Sequence, residues 1–136
     1  MSKMDYRIER IDKHTDGRGD LVVFLKKREL TPKRRRFGQI YFITFTGKRV
    51  VRGNHYHKKW REYFGVVHGK VRAELEHVKT RERVSLILSA GHKTYTRLEI
   101  GPYVAHAFIC LSASASLLNY ADDEWSAGDR YEYELV

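Results

Sequence analysis

A chain of 136 residues, 42% hydrophobic and 12% aromatic, is sized for a single domain over 1–136 and can bury a core, which excludes a disordered polymer. No apolar run is long enough to span a bilayer, and the N-terminal stretch has no apolar segment of signal-peptide type. Cys110 stands alone, so no internal disulfide forms and a cytoplasmic, reducing location is the default expectation.

The net charge of +9 gathers in "KKRELTPKRRR" at 26–36. Such a run suits phosphates, on nucleic acid or on a nucleotide-linked substrate, and it reads equally well as a solvated loop. It carries no interleaved aromatics and no nucleic-acid motif, so a nucleic-acid-binding β-barrel would rest on charge alone and nucleic acid is not an expected partner.

In chain order, the "DGRG" turn at 16–19 leads into a strand "DLVVFLKK", and "FGQIYFITF" forms the next and breaks at "TGK". "REYFGVVHG" runs through Gly69 into "KVRAELEHV", where Val71, Ala73 and Leu75 alternate with Arg72, Glu74 and Glu76, the period of a strand with one buried face. "KTRE" turns the chain into "RVSLILS", a hairpin, and "KTYTRLEI", "HAFICLSA" and "ASLLNYA" add three strands. The acidic, aromatic "ADDEWSAGDRYEYELV" reads as a surface strand or as a cap over a cavity. Nine or ten short strands without long helical periodicity predict an all-β antiparallel sandwich or barrel.

The chemistry concentrates in "RGNHYHKKWREYFGVVHG" at 52–69. Residues i and i+2 of a strand share a face about 7 Å apart, so His55 and His57 converge and Tyr56 points the other way. Glu62 follows past the "KKWR" turn, where an antiparallel partner strand would bring its carboxylate alongside. Arg52 lies on the opposite face if the strand is regular. His14, His68, His77 and His92 stand beside turns and charged stretches and read as surface residues; Cys110 reads as a small core residue.

The spacing His-x-His, four residues, Glu, six residues, Gly69 resembles the first motif of the cupin superfamily, and Gly101, Pro102 and His106 in "IGPYVAHAF" resemble part of the second. The resemblance implies a cupin-type jelly-roll β-barrel with little helix and a ligand set of His55, His57, Glu62 and His106. Neutral imidazoles with one carboxylate suit zinc, nickel, iron or manganese.

"TDGRGDLVVF", "QIYFITFTGKRVVRGNHYHKK" and "LLNYADDEW" narrow this further. They are similar to the dTDP-4-keto-6-deoxyhexose 3,5-epimerases and to the 3,4-ketoisomerases of the WxcM-like family. That resemblance implies a metal-independent isomerase acting on a dTDP-type nucleotide-linked 4-keto-6-deoxyhexose for polysaccharide or glycan precursors, working as a homodimer off the membrane. His55 would abstract the proton and His57 would relay it or stabilise the enolate, roles suited to groups that titrate near ~6.5.

Tyr41 would donate to the substrate oxygen, unless it is only a packed strand aromatic. Arg18 and Arg52 would grip the diphosphate with bidentate guanidinium forks. Ketoisomerases of this pattern tend to carry glutamine at the position of Glu62. The glutamate is similar instead to the metal-binding cupin domain of capsular-polysaccharide assembling proteins, which keeps a metal-centred reading alongside the isomerase one.

Overall fold

The computed structural model describes residues 3–136 and contains twelve strands and three single-turn 3-10 helices. The first sheet orders β1 (Tyr6–Ile11), β9 (Tyr95–Ile100), β6 (Glu62–His68), β11 (Ala115–Ala121) and β4 (Gln39–Phe45) side by side. The second orders β12 (Tyr131–Glu132), β5 (Val51–Tyr56), β10 (Val104–Cys110), β7 (Lys70–His77) and β8 (Arg83–Ser89). A separate hairpin joins β2 (Lys13–Asp16) to β3 (Gly19–Val22). All pairings are antiparallel, and the two sheets face each other as an open jelly roll.

The core sits between the sheets. Val71, Ala73 and Leu75 are fully buried and meet Phe64, Val66, Leu98, Phe108 and Leu117, as the alternation in β7 requires. Each large apolar side chain withdrawn from water contributes about 1.5–3 kcal/mol. Cys110 is buried among them. Arg97, the largest fully buried side chain, lies under the 24–36 strap, where it donates to the Phe24 carbonyl at 2.7 Å and reaches Glu29 at 3.2 Å.

Two expectations change, and one strand appears that no expectation covered. "DLVVFLKK" is not a barrel strand: only Gly19–Val22 is extended, and the chain then passes through 3-10 turns at Lys27–Glu29 and Pro32–Arg34. These turns carry the basic run as a strap over Tyr63 and Tyr120 on the outer face of the first sheet. The N-terminal "YRIERI" forms an edge strand, β1, whose polar residues hid its period. His77 is buried rather than on the surface, because its Nδ1 accepts the Lys79 amide at 3.1 Å and so closes the β7–β8 turn.

Candidate active site

β5 supplies His55 and His57, but it is not a regular strand. Gly53 (φ 106°) and Asn54 (φ 59°) are both left-handed, and the register against β10 slips so that Asn54 is the extra residue. Such a bulge resets the alternation of faces. Arg52 therefore lines the same cleft as His55 and His57, which corrects the expectation that it points away. Only glycine fits at 53, since a Cβ there would stand 2.7 Å from the His106 carbonyl oxygen. The Asn54 side chain in turn accepts the Leu135 and Val136 amides at 2.9 and 3.2 Å, tying the C-terminal segment to the bulge.

Glu62 reaches the histidines from the other sheet, across the sandwich, and not through a strand paired with β5. It is 2% exposed. One carboxylate oxygen lies 3.3 Å from His57 Nε2 and 3.5 Å from His106 Nε2; the other accepts from Tyr41 at 3.2 Å and from the Asn119 amide at 3.0 Å. Tyr41 thus donates to Glu62 rather than facing the cleft as a free hydroxyl. Burial, with the Glu62 charge beside it, raises its pKa well above the ordinary phenol value.

The second nitrogen of His57, Nδ1, meets the backbone carbonyl of Asp129 at 2.5 Å, and Trp60 stacks on its ring at 4.4 Å between centroids. A carbonyl and a carboxylate can only accept, so His57 carries protons on both nitrogens and forms an imidazolium–carboxylate pair with Glu62. The pKa directions agree. Burial pulls His57 down, but Glu62 and then Asp129 more than offset it, so its pKa is raised. Burial pushes Glu62 up, but its histidine neighbours hold it at about 2. The charge in that pair belongs to His57, because full burial lowers the His106 pKa and keeps that ring neutral, with Nδ1 on the Val104 carbonyl at 3.1 Å.

His55 differs from both. Its Nδ1 is buried without a hydrogen-bond partner among the described residues. Burial, followed by the neighbouring His106 and His57, drives its pKa down to about 3. It is a neutral imidazole poised edge-on beside the other two rings, with centroids 5.1 and 4.8 Å away.

These side chains floor a cleft of about 620 Å³, a size suited to a small organic ligand. Its mouth opens between the edge strand β4 and strand β5, where Trp125 and Arg130 of the C-terminal segment stand. That segment proves to be both a cap and, at β12, a surface strand. The Asp129 carboxylate accepts the Lys58 and Lys59 amides at 2.8 and 3.1 Å, fastening the cap to the histidine turn. Asp129 and Arg130 had no signal of their own in the sequence beyond the composition of 121–136, and Asn119 and Trp125 none beyond the stretch "LLNYADDEW". Arg18 is not in the cleft of its own chain; it stands at the tip of the β2–β3 hairpin, 91% exposed and bonded to Asp16 at 2.6 Å.

The donor set also fits a metal ion. Ligand atoms of His55, His57 and His106 lie within 4.8 Å of one another, and the backbone carbonyls on Nδ1 of His57 and His106 leave both Nε2 atoms facing Glu62. Outer partners of this kind orient metal-ligating histidines.

Comparison with known proteins places this geometry. The chain is similar to a 3,4-ketoisomerase from Helicobacter canadensis, at 28% identity over 94% of this chain and 90% of that one, with a TM-score of 0.77. It shares its fold with the 3,4-ketoisomerase QdtA from Thermoanaerobacterium thermosaccharolyticum, solved as a mutant with TDP-4-keto-6-deoxyglucose. There the identity is 22%, the coverage 92% and 85%, and the TM-score 0.77. It also shares it with a dTDP-4-dehydrorhamnose 3,5-epimerase from Bacillus anthracis, at 18% identity, 94% and 78% coverage and TM-score 0.80. No curated protein sequence matches. The family described as "WxcM-like, C-terminal" matches residues 4–134, nearly the whole chain, and the protein belongs to that family.

Proposed function

We propose that this protein is a 3,4-ketoisomerase of a nucleotide-linked 4-keto-6-deoxyhexose, of dTDP type, in glycan precursor synthesis. The observation that supports it most is the division of labour between two histidines on one strand: His55 neutral with an unbonded ring nitrogen, His57 held as an imidazolium. His55 lines the cleft with its Nδ1 sealed from solvent, so Nε2, which takes no hydrogen bond among the described residues, is the nitrogen equipped to take the proton on C3, alpha to the C4 ketone. As that C–H bond breaks, its electrons form the C3–C4 double bond and the C4 oxygen becomes an enolate.

The imidazolium of His57, itself held by Glu62 and its Tyr41 partner, stabilises that oxygen and delivers a proton to it, giving an enediol. Loss of the proton on O3 and protonation of C4 complete the exchange, with no net change in protons or electrons. The low basicity of His55 is offset by the buried positive charge next to it, which lowers the acidity barrier of the substrate carbon. Synthesis of such a precursor fits the reducing cytoplasm that a lone cysteine implies; no helix among the described residues is long and apolar enough to cross a membrane.

A homodimer completes this reading. Ile40 and Phe42 stand on the outer face of the edge strand β4, 60% and 75% exposed. Sedimentation at micromolar concentration tests it, a monomer being the contrary result.

A second reading is favoured by the carbonyl-anchored Nε2 pair: His55, His57, Glu62 and His106 would hold a divalent ion. Such an ion would supply Lewis-acid polarisation of a ketone or carboxylate oxygen. The deciding experiment is incubation with TDP-4-keto-6-deoxyglucose in D₂O, before and after chelation. Formation of the 3-keto sugar with deuterium on carbon, insensitive to chelator, is expected for the ketoisomerase. Neither conversion nor exchange would overturn it, and activity lost on chelation and restored by one metal would establish the second reading.

A further inference from the structure

The ketoisomerase chemistry leaves the basic run at 26–36 without a task, and that run borders a second cavity. The cavity, of about 450 Å³, lies on the outer face of the first sheet. Phe24, Leu25, Leu30, Leu118 and Tyr120 line it, Lys26, Lys27, Arg35 and Arg36 stand along its rim, and no acid faces it. The polar groups at its floor are already engaged. The Tyr120 hydroxyl donates to the Arg36 carbonyl at 2.6 Å, and the Asn119 side chain faces the other side of the sheet, on Glu62 at 3.0 Å. The rim charges are not engaged. Lys26 and Lys27 are exposed and form no ion pair among the described residues. Arg35 donates to the Leu30 and Arg28 carbonyls, at 3.0 and 3.4 Å, and neither neutralises its charge. Arg36 has Asp123 at 3.7 Å, but both side chains are open to solvent, and such surface pairs yield readily to a stronger anion. Glu29, close by in sequence, is spent on Arg97 at 3.2 Å and on the Lys26 amide at 2.7 Å.

An apolar floor beneath uncompensated cations makes two demands of its occupant at once. An apolar chain leaves water against the floor, and a negative head neutralises the rim. A free phosphate or a nucleic-acid backbone meets the rim alone and leaves the floor wet. A second copy of this chain covers the floor, but a symmetric contact centred on the cavity sets the cations of the strap against themselves. We propose that this cavity binds a single-chain amphipathic anion, an alkyl chain ending in a carboxylate, with the chain on Leu118 and Tyr120 and the head against Lys26, Lys27 and the two arginines. Strands β4 and β11 separate it from the histidine cleft, with Leu118 and Tyr120 on the outer side and Tyr41 and Asn119 on the inner, against Glu62. Ile40, at the edge of β4, is the lining residue that the two share; Phe42, its companion on the homodimer face, lies outside this cavity. The proposal stands apart from the ketoisomerase reading, since no group that moves a proton there takes part.

Calorimetric titration of the full chain with dodecanoate, kept below its micellar concentration, tests this. Saturable, stoichiometric binding is expected, about tenfold or more tighter than that of dodecyltrimethylammonium, which has the same chain under a cationic head. Acetate, the head without the chain, is expected to give no heat of binding. Lys26→Gln combined with Lys27→Gln is expected to weaken dodecanoate about tenfold and to flatten its dependence on salt. Leu118→Trp, which fills the floor, is expected to abolish binding. Both lysines are exposed, so the double variant keeps the fold and decides the matter even where Leu118→Trp does not fold. Equal affinity for the two amphiphiles, or wild-type affinity in the lysine variant, overturns the assignment. Sedimentation of the chain on phosphatidylserine vesicles without uptake of free dodecanoate overturns it in favour of a membrane surface, and uptake of neither overturns it outright. Ketoisomerase turnover is read separately, so each of these outcomes leaves that reading where it stands.

Discussion

Two buried carboxylates stand one residue pair apart on neighbouring strands of the same sheet, and they have opposite characters. Glu62 on β6 points into the sandwich and meets His57, His106, Tyr41 and Asn119. Glu99, opposite Tyr63 on β9, points outward and meets Arg61 at 3.0 and 2.5 Å, with Arg61 also clamped on Asp5 at 2.6 and 2.9 Å. Guanidinium never gives up its proton, so the Glu99 cluster can only hold β1, β6 and β9 together. Imidazole and phenol exchange protons, so the Glu62 cluster can hold the fold and also move charge. Burial is the same; the partner decides what the carboxylate is for.

The largest effect tests the neutral member of the histidine cluster. His55→Gln should lower ketoisomerase turnover about 10³-fold, in the range for loss of a general base, with thermal unfolding little changed because the ring makes no bond that the fold needs. Turnover within tenfold of wild type would remove His55 from the base role.

Next, the two carboxylates are separated by paired substitutions. Glu62→Gln should cost about 10²-fold in kcat and roughly 1–3 kcal/mol of stability, since it breaks a buried pair. Glu99→Gln should cost stability of the same order with kcat unchanged per folded molecule. Equal loss of kcat in both would erase the distinction. Gly53→Ala should cost about 1–3 kcal/mol by straining the bulge and should raise KM by displacing Arg52; denaturant melting with steady-state kinetics reads both.

The smallest effect is in pH. His57 has a raised folded pKa, so its stabilisation is fully present below about 6.5 and is lost as pH climbs through the folded value. His55 has a folded pKa near 3, so between 6.5 and 3 the unfolded chain binds a proton that the folded chain refuses, and stability falls as pH drops. Unfolding free energy should therefore decline on both sides of neutrality, and His57→Gln should flatten the alkaline side alone. An unaltered alkaline limb in that variant would show that His57 is not held as the cation.

Much of this was legible in the residues. The alternation of β7 announced its buried face, Cys110 lay in an apolar run, and His-x-His placed two imidazoles together because strand geometry is local. The composition of the 121–136 segment left a surface strand and a cap both open, and the segment is each in part. The face of Arg52 was legible only on the condition of a regular strand, because a left-handed asparagine leaves no clear mark in the sequence, although "RGN" supplies the two residue types that adopt that conformation most easily. His77 was misread because its charged neighbours suggested the surface, whereas its ring turns in to cap a turn.

The sequence by itself determined most of the strands, the buried face of β7 and the identity of the groups that exchange protons, since each follows from side-chain chemistry and a period of two residues. Only the tertiary structure decided what those groups are. Glu62 comes from the opposite sheet, and the Asp129 carbonyl comes from a segment more than seventy residues later than His57. Together they make one histidine a cation and leave its neighbour neutral. A protonation state is set by which acceptors close around a ring, and that closure exists only when distant segments fold onto one another.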